Sequence, residues 1–64
     1  MVKFNDANST IIEKSEIIGV QIFPNHLMLL LENYAITLFY AGDKEGNDYR
    51  LTDYNFIKNI KGVE

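Results

Sequence analysis

The chain has 64 residues, a net charge of −3, one histidine and no cysteine. This length allows one small domain, and the missing cysteines exclude disulfide bonds as its support. A structural zinc site is excluded as well, because zinc takes about four Cys or His ligands and only His26 is present. We therefore expect a single domain over residues 1–64, without metal or cofactor, held together by the apolar residues that make up 47% of the chain.

The sequence contains no recognisable targeting or membrane segment. Its first ten residues lack the apolar region of a secretory signal. Residues 27–41 are largely apolar, but Glu32 and Asn33 interrupt them, and the stretch is shorter than the roughly 20 residues that span a bilayer. We therefore expect a cytoplasmic protein without a membrane anchor, which also fits the missing cysteines.

The first part of the chain contains one clear strand. Residues 1–9 are polar apart from Val2 and Phe4, and they fit either a short strand or a loose N-terminal arm. Residues 17–23 alternate in polarity, which predicts a half-buried strand. Gly19 in the middle of this strand indicates a bulge or a bend.

A strand pair is predicted around the longest apolar run. Residues 27–31 fit either a strand with apolar side chains on both faces or the start of a helix capped by Asn25. Residues 34–40 alternate well, and Glu32 and Asn33 have the character of a tight turn. We therefore favour a hairpin that turns at Glu32 and Asn33 over the helix.

The remainder of the chain is predicted to continue the sheet. Residues 41–47 have the composition of a turn, so residues 48–52 are predicted to return as a strand. Residues 53–63 fit either a short helix that ends at Gly62 or a 3-10 turn followed by a last strand. We favour the second interpretation, which adds one more strand.

These elements sum to about five short strands with short turns, a pattern typical of a small bent sheet or barrel. Over residues 16–63 the order of a hairpin, a strand, a 3-10 turn and a strand resembles that of SH3-like small barrels. We expect an all-β fold, a strongly bent five-stranded sheet or SH3-like barrel, with at most one short C-terminal helix or 3-10 turn. The predicted core residues are Val20, Ile22, Leu29, Leu31, Ile36, Leu38 and Leu51.

The side chains give little support for catalysis. His26 follows Pro24 and Asn25, which predicts a histidine in a surface turn. Glu13 and Glu16 form a carboxylate pair, but beside a strand turn they are interpreted as solubilising charges instead of an acid–base pair. With no cysteine nucleophile and little volume for a substrate pocket, we expect a protein that is not an enzyme.

Carboxylates gather between residues 43 and 53 and are interpreted as a solvated acidic loop. Their spacing does not fit a calcium loop, because the glycine comes fourth instead of sixth and Tyr54 stands where a bidentate Glu is needed. The four carboxylates are Asp43, Glu45, Asp48 and Asp53.

Aromatic and basic residues lie close together near the C-terminus, as in barrels that stack bases beside a positive groove. We name these possible partner-binding residues the aromatic–basic cluster; its members are Tyr49, Arg50, Tyr54, Lys58 and Lys61. Asp48 and Asp53 lie among them in the sequence and offset part of the positive charge. We therefore expect no nucleic-acid binding at physiological salt.

The predicted function is that of a small protein-binding module of the inhibitor or adaptor type. Residues 27–31 place apolar side chains on both faces of a strand, whereas a small sheet normally keeps one face wet. Barrel closure, the tail of the chain or a partner must then cover the other face. We expect a homodimer or larger homo-oligomer built on this strand or on a sheet edge.

Two other functions are kept as alternatives. One is a nucleic-acid-binding barrel that uses the aromatic–basic cluster, and the other is a self-assembling structural subunit. The small size and the Asn-, Ile- and Lys-rich composition resemble those of proteins that phage and mobile-element genes encode.

Overall fold

The computed structural model describes residues 1–61, which form five short strands, one 3-10 turn and one long helix. No helix in this part of the chain combines the length and the apolar character needed to cross a membrane. The strands are β1 (Val2–Lys3), β2 (Ile11–Ile12), β3 (Ile17–Ile22), β4 (His26–Leu31) and β5 (Ala35–Phe39); the 3-10 turn is Lys14–Glu16, and the helix is α1 (Lys44–Lys61).

The five strands form two separate antiparallel sheets. β1 pairs with β2, while β3, β4 and β5 form a second sheet with β4 in the middle. The predicted SH3-like barrel is therefore wrong, and the strands do not share one bent sheet. The barrel does not close because the chain after residue 43 is helical where further strands were expected. The fold is mostly sheet with one C-terminal helix.

Two tight hairpins connect the strands of the larger sheet. The Phe23 N–H donates to the His26 carbonyl oxygen over 2.9 Å, and the Leu31 N–H donates to the Tyr34 carbonyl oxygen over the same distance. The hairpin predicted at residues 32–33 is thus confirmed, and β4 is a strand instead of the start of a helix. Turns this short fix the strand register, which places alternate β4 side chains on opposite faces.

The bulge expected at Gly19 is present. The pairing between β3 and β4 shifts between Ile17 and Gly19. As a result Ile17 and Val20 are both buried although they are three residues apart, whereas Ile18 between them is 60% exposed. A Cβ at Gly19 would approach the Cδ1 atom of Leu30 to 3.2 Å, so the glycine also makes room for the neighbouring strand.

α1 replaces the hairpin and strand that were predicted after residue 42. Asp43 precedes the helix, and its Oδ1 atom accepts a 2.8 Å hydrogen bond from the Gly46 N–H. This bond satisfies one of the free amides of the first helical turn, as an N-cap does. The predicted strand at residues 48–52 and the last strand after it are therefore wrong. The expected helix end at Gly62 lies outside the described residues.

The side of α1 that faces the sheets is unusually polar. Gly46, Arg50, Asp53 and Ile57 follow one another at helical spacing, and of these only Ile57 is a large apolar residue buried in the core. A Cβ at Gly46 would lie 2.0 Å from the carbonyl oxygen of Ala41, so the glycine allows the chain to turn closely into the helix. Leu51, predicted in the core, is 47% exposed because it lies on another side of α1.

The core lies between the two sheets and α1. Of the predicted core residues, Val20, Leu29, Leu31 and Leu38 are buried, while two others, Ile22 and Ile36, are partly buried against them. The segment 1–9 has the short strand that was one of its two interpretations, and Phe4 in it is 1% exposed. The buried apolar residues are Val2, Phe4, Ile12, Ile17, Val20, Leu27, Leu29, Leu31, Leu38, Tyr40 and Ile57.

Candidate protein-binding surfaces

Asp53 connects α1 to the first segment of the chain instead of belonging to a solvated loop. Its carboxylate accepts hydrogen bonds from the Asn5 N–H (2.8 Å), the Asn5 Nδ2 (3.1 Å) and the Tyr40 hydroxyl (2.8 Å), and the residue is 5% exposed. Burial, followed by the hydrogen bond to Asp53, raises the pKa of the Tyr40 hydroxyl far above its usual range. The interpretation of Asp53 as a solvated charge is therefore wrong, whereas Asp43, Glu45 and Asp48 are exposed.

The aromatic–basic cluster lies on α1 but not on one face of it. Arg50, Tyr54 and Lys58 are spaced by four residues and share one side, where the Lys58 Nζ lies 5.6 Å from the centroid of the Tyr54 ring. Tyr49 is displaced from Arg50 by about 100° around the helix. Lys61 is the last residue of α1.

Arg50 is occupied by contacts within the protein. Its Nη1 atom donates a 2.6 Å hydrogen bond to the Phe23 carbonyl oxygen at the β3–β4 turn, and its Nη2 atom lies 3.4 Å from the Asn47 Oδ1. Its Nε atom is buried and has no hydrogen-bond partner within residues 1–61. This guanidinium fastens α1 to the sheet, so it is not displayed to a phosphate as the cluster hypothesis requires.

The acidic residues near the cluster are also placed differently from the expectation. Asp53 is buried, and Asp48 lies about 200° around α1 from Arg50, on the opposite side. The carboxylates therefore do not screen the side that carries Tyr54 and Lys58. The engagement of Arg50 with the Phe23 carbonyl oxygen is what disfavours a nucleic-acid surface on this side.

His26 is part of an aromatic stack and not of a surface turn. It is the first residue of β4 and is half-buried. Its ring stacks on Phe23 with a centroid distance of 4.7 Å, and the Phe39 ring lies 5.9 Å away on a neighbouring strand. The surface-turn prediction is wrong because the turn ends one residue earlier, at Asn25.

The larger sheet has one face that neither α1 nor the β1–β2 sheet covers. We name it the outer face. Met28 and Leu30 lie at its centre and are only half-buried, while Phe39 at one end is 57% exposed. Its residues in the described chain are Gln21, His26, Met28, Leu30, Thr37 and Phe39, with no Asp, Glu, Lys or Arg among them.

A second apolar surface lies where β2 and the 3-10 turn meet the β4–β5 hairpin. Two adjoining open cavities of about 430 and 290 Å³ share Glu16, Leu31 and Tyr34 in their linings, so they form one groove, which we name the end groove. Its apolar lining includes the buried or half-buried Ile12, Leu31 and Ile36 and the exposed Ile11, Ile18 and Tyr34.

The end groove is bordered by negative charge. Glu13, Glu16 and Glu32 belong to its lining and are exposed, and none of the lining residues that the structure describes is a lysine or arginine. The three carboxylates are not a metal centre, because no three His, Cys, Asp or Glu side chains of residues 1–61 are grouped to hold an ion. The groove therefore combines an apolar lining with an acidic border.

Sequence reasoning did not identify the end groove. Glu13 and Glu16 were recognised as a pair, but Ile18 and Tyr34 were assigned to strands without a surface role. The bulge at Gly19 was the one available signal, because a bulge redirects the side chain beside it.

In comparisons with known proteins, no protein-family model, curated protein or solved structure matches the chain significantly.

Proposed function

We propose that this protein is a non-enzymatic protein-binding module of the inhibitor or adaptor type, and that it binds its partner in the end groove. The observation that carries the proposal is the gathering of exposed apolar side chains there. Met1, Ile11, Ile18 and Tyr34 are four of the nine large apolar residues that are exposed in the described part of the chain, and all four line this groove. Large apolar patches with polar borders are typical of interaction sites.

The chemistry of the groove favours binding over catalysis. Ser15 is the only hydroxyl side chain besides Tyr34 in the described lining. A serine nucleophile needs an adjacent base. His26 begins the same strand that ends at Leu31, so it lies roughly 17 Å away along β4. The groove is also open, which would leave a reaction exposed to water.

A selection from a displayed random-peptide library tests the proposal. We expect peptides that bind the wild-type protein and that lose most of their binding to the Tyr34→Ala variant. Tyr49→Ala is the matched control, because Tyr49 is also an exposed tyrosine but lies on α1, away from the groove. Circular dichroism checks that both variants remain folded.

Binders that respond to neither variant, or to Tyr49→Ala alone, would overturn the end groove as the binding site. Failure to select any peptide with saturable affinity would count against the module itself. We place the protein in the cytoplasm in this proposal, because a reduced compartment suits a chain without cysteine.

Self-assembly through the outer face is the second candidate function. The described residues of this face include no Asp, Glu, Lys or Arg, so two copies brought together by a two-fold axis would not oppose such like charges. β5 adds an open edge, since the backbone groups of Ala35 and Thr37 point away from β4 in the observed register.

Sedimentation of the wild type and of the Met28→Lys variant tests this candidate. A wild-type dimer that becomes monomeric on substitution would support it. A wild type that stays monomeric up to millimolar concentration would exclude it.

A further inference from the structure

We propose that the occupant of the end groove is an extended segment of another protein in which apolar residues alternate with lysine or arginine. This inference rests on the proposed protein-binding function and adds the chemistry of the partner. Its basis is the combination of an apolar lining with three carboxylates and, among the described lining residues, no lysine or arginine.

The carboxylates of the border are available to a ligand. Neither Glu16 nor Glu32 forms a side-chain hydrogen bond or ion pair within residues 1–61, and both are exposed. Glu13 has a weak contact only, with its Oε1 atom 4.0 Å from the α-amino group of Met1. Basic side chains of a partner would gain from these charges, which also oppose phosphate-rich ligands.

The shape of the groove fits an extended segment. Its two cavities adjoin at Leu31 and Tyr34, so they can receive two successive apolar side chains from one chain. In a strand, residues i and i+2 point to the same side and lie about 7 Å apart. The lysine or arginine residues between them point away from the lining, but their long flexible side chains can bend back to the exposed carboxylates of Glu16 and Glu32 at the border.

A second copy of this chain is a poorer occupant. In a two-fold contact the same surface faces itself, so each copy would bring Glu13, Glu16 and Glu32 close to their equivalents. Like charges in an interface disfavour such a pairing. The outer face, without acidic residues in the described chain, is the surface suited to self-association.

Three synthetic heptapeptides test the inference by titration into the isotopically labelled protein at low salt. One alternates Lys and Leu, one Glu and Leu, and one Lys and Ser. We expect the Lys–Leu peptide to bind at least about tenfold more tightly than the other two, because only it satisfies both the lining and the border. The amide resonances of Leu31, Tyr34 and Ile36 should shift.

Two double substitutions that remove equal charge test whether the carboxylates of the groove attract the Lys–Leu peptide. Glu16→Gln/Glu32→Gln should weaken the Lys–Leu peptide by about fivefold, as expected for the loss of two exposed ion pairs. Glu45→Gln/Asp48→Asn removes the same net charge from exposed sites on α1 and should change the affinity less than about twofold.

The outcomes separate this inference from the proposed function. Equal binding of the Lys–Leu and Glu–Leu peptides at the groove would overturn the basic partner and leave protein binding intact. Equal weakening by the two charge variants would also overturn it, since the attraction would then be nonspecific. Loss of all groove binding, together with selected peptides that ignore Tyr34→Ala, would overturn the proposed function as well.

Discussion

The two faces of β4 are built from similar side chains but lie in different surroundings. On the inner face, which α1 contacts, Leu27 and Leu29 are fully buried in the core. On the outer face Met28 and Leu30 are half-buried, and nothing in the described chain lies over them. The position of the neighbouring elements, and not the apolar character of a residue, therefore decides whether that residue belongs to the core.

α1 shows the same contrast in reverse. Its inner side contains a glycine, an arginine and an aspartate, whereas apolar residues such as Leu51 and Phe56 are exposed. Polar groups can occupy an inner side when they are hydrogen-bonded. Inner and outer positions of the same element therefore provide matched pairs for experiments.

The largest expected difference is between two adjacent leucines of β4. Leu29→Ala should lower the free energy of unfolding by about 2–5 kcal/mol, because it leaves a cavity in the core. Leu30→Ala should cost only about 1 kcal/mol, since its side chain is half-buried. Chemical denaturation measures both. Equal losses would mean that the outer face is covered in solution, which would contradict the contrast between the faces.

The next difference is between two aspartates of α1. Asp53→Asn should destabilise the protein by about 1–3 kcal/mol, because an amide group would face the Asn5 and Tyr40 donors where the carboxylate now accepts from them. Asp48→Asn changes an exposed residue and should stay within about 0.5 kcal/mol of the wild type. Similar melting temperatures for the two variants would show that the Asp53 network does not stabilise the fold.

A smaller difference is expected between two alanine substitutions in α1. Alanine normally stabilises a helix relative to glycine by about 0.5–1 kcal/mol. Gly46→Ala should instead destabilise, by about 1 kcal/mol or more, because its Cβ would meet the Ala41 backbone. Asn55→Ala at an exposed position should stabilise by a few tenths of a kcal/mol. A gain in stability from Gly46→Ala would contradict the close approach.

The last prediction concerns the Tyr40 hydroxyl, whose contribution to stability should depend on pH only in alkaline solution. The pKa of Tyr40 is raised in the folded protein, so the unfolded chain releases this proton first, above pH about 10. The stability contributed by the protonated hydroxyl is therefore complete below that pH and is lost as pH rises further. Tyr40→Phe should flatten this decline, which chemical denaturation at a series of alkaline pH values measures. Identical slopes of stability against pH in the wild type and the variant would contradict the raised pKa of Tyr40.

The sheet could be predicted from the sequence because its signals are local. The alternation of apolar and polar residues in 17–23 and 34–40 predicted β3 and β5. Glu32 and Asn33 predicted the hairpin between β4 and β5. Two-residue turns and period-two patterns depend only on neighbours in the chain. Gly19 likewise indicated its bulge directly.

The helix was missed because its apolar residues do not mark its buried side. Gly46, Arg50 and Asp53 point inward, so hydrophobic periodicity gives no helical stripe there. The Asp43 side chain caps the helix by accepting a hydrogen bond from the Gly46 N–H. From composition alone, the same residues were interpreted as a turn.

The end groove could not be predicted for a different reason. Ile11, Ile18 and Tyr34 come from three separate segments. The pairing of β3 with β4 and of β4 with β5 brings Ile18 close to Tyr34, and the packing of β2 at this end of the molecule adds Ile11. The aromatic–basic cluster was found because its residues are close in the sequence, but contacts across the fold engage Arg50.

The bond between Asn5 and Asp53 joins residues 48 positions apart, and this separation has a consequence for the order of folding. The β3–β4–β5 hairpins and α1 close short loops, so they can form within microseconds of one another. Docking of the first segment must wait until the helix presents its carboxylate, because long loops close at a larger entropic cost. We therefore expect the hairpins to assemble first and the first strand pair to join last, so that this pair is also the first part of the chain to open under strain.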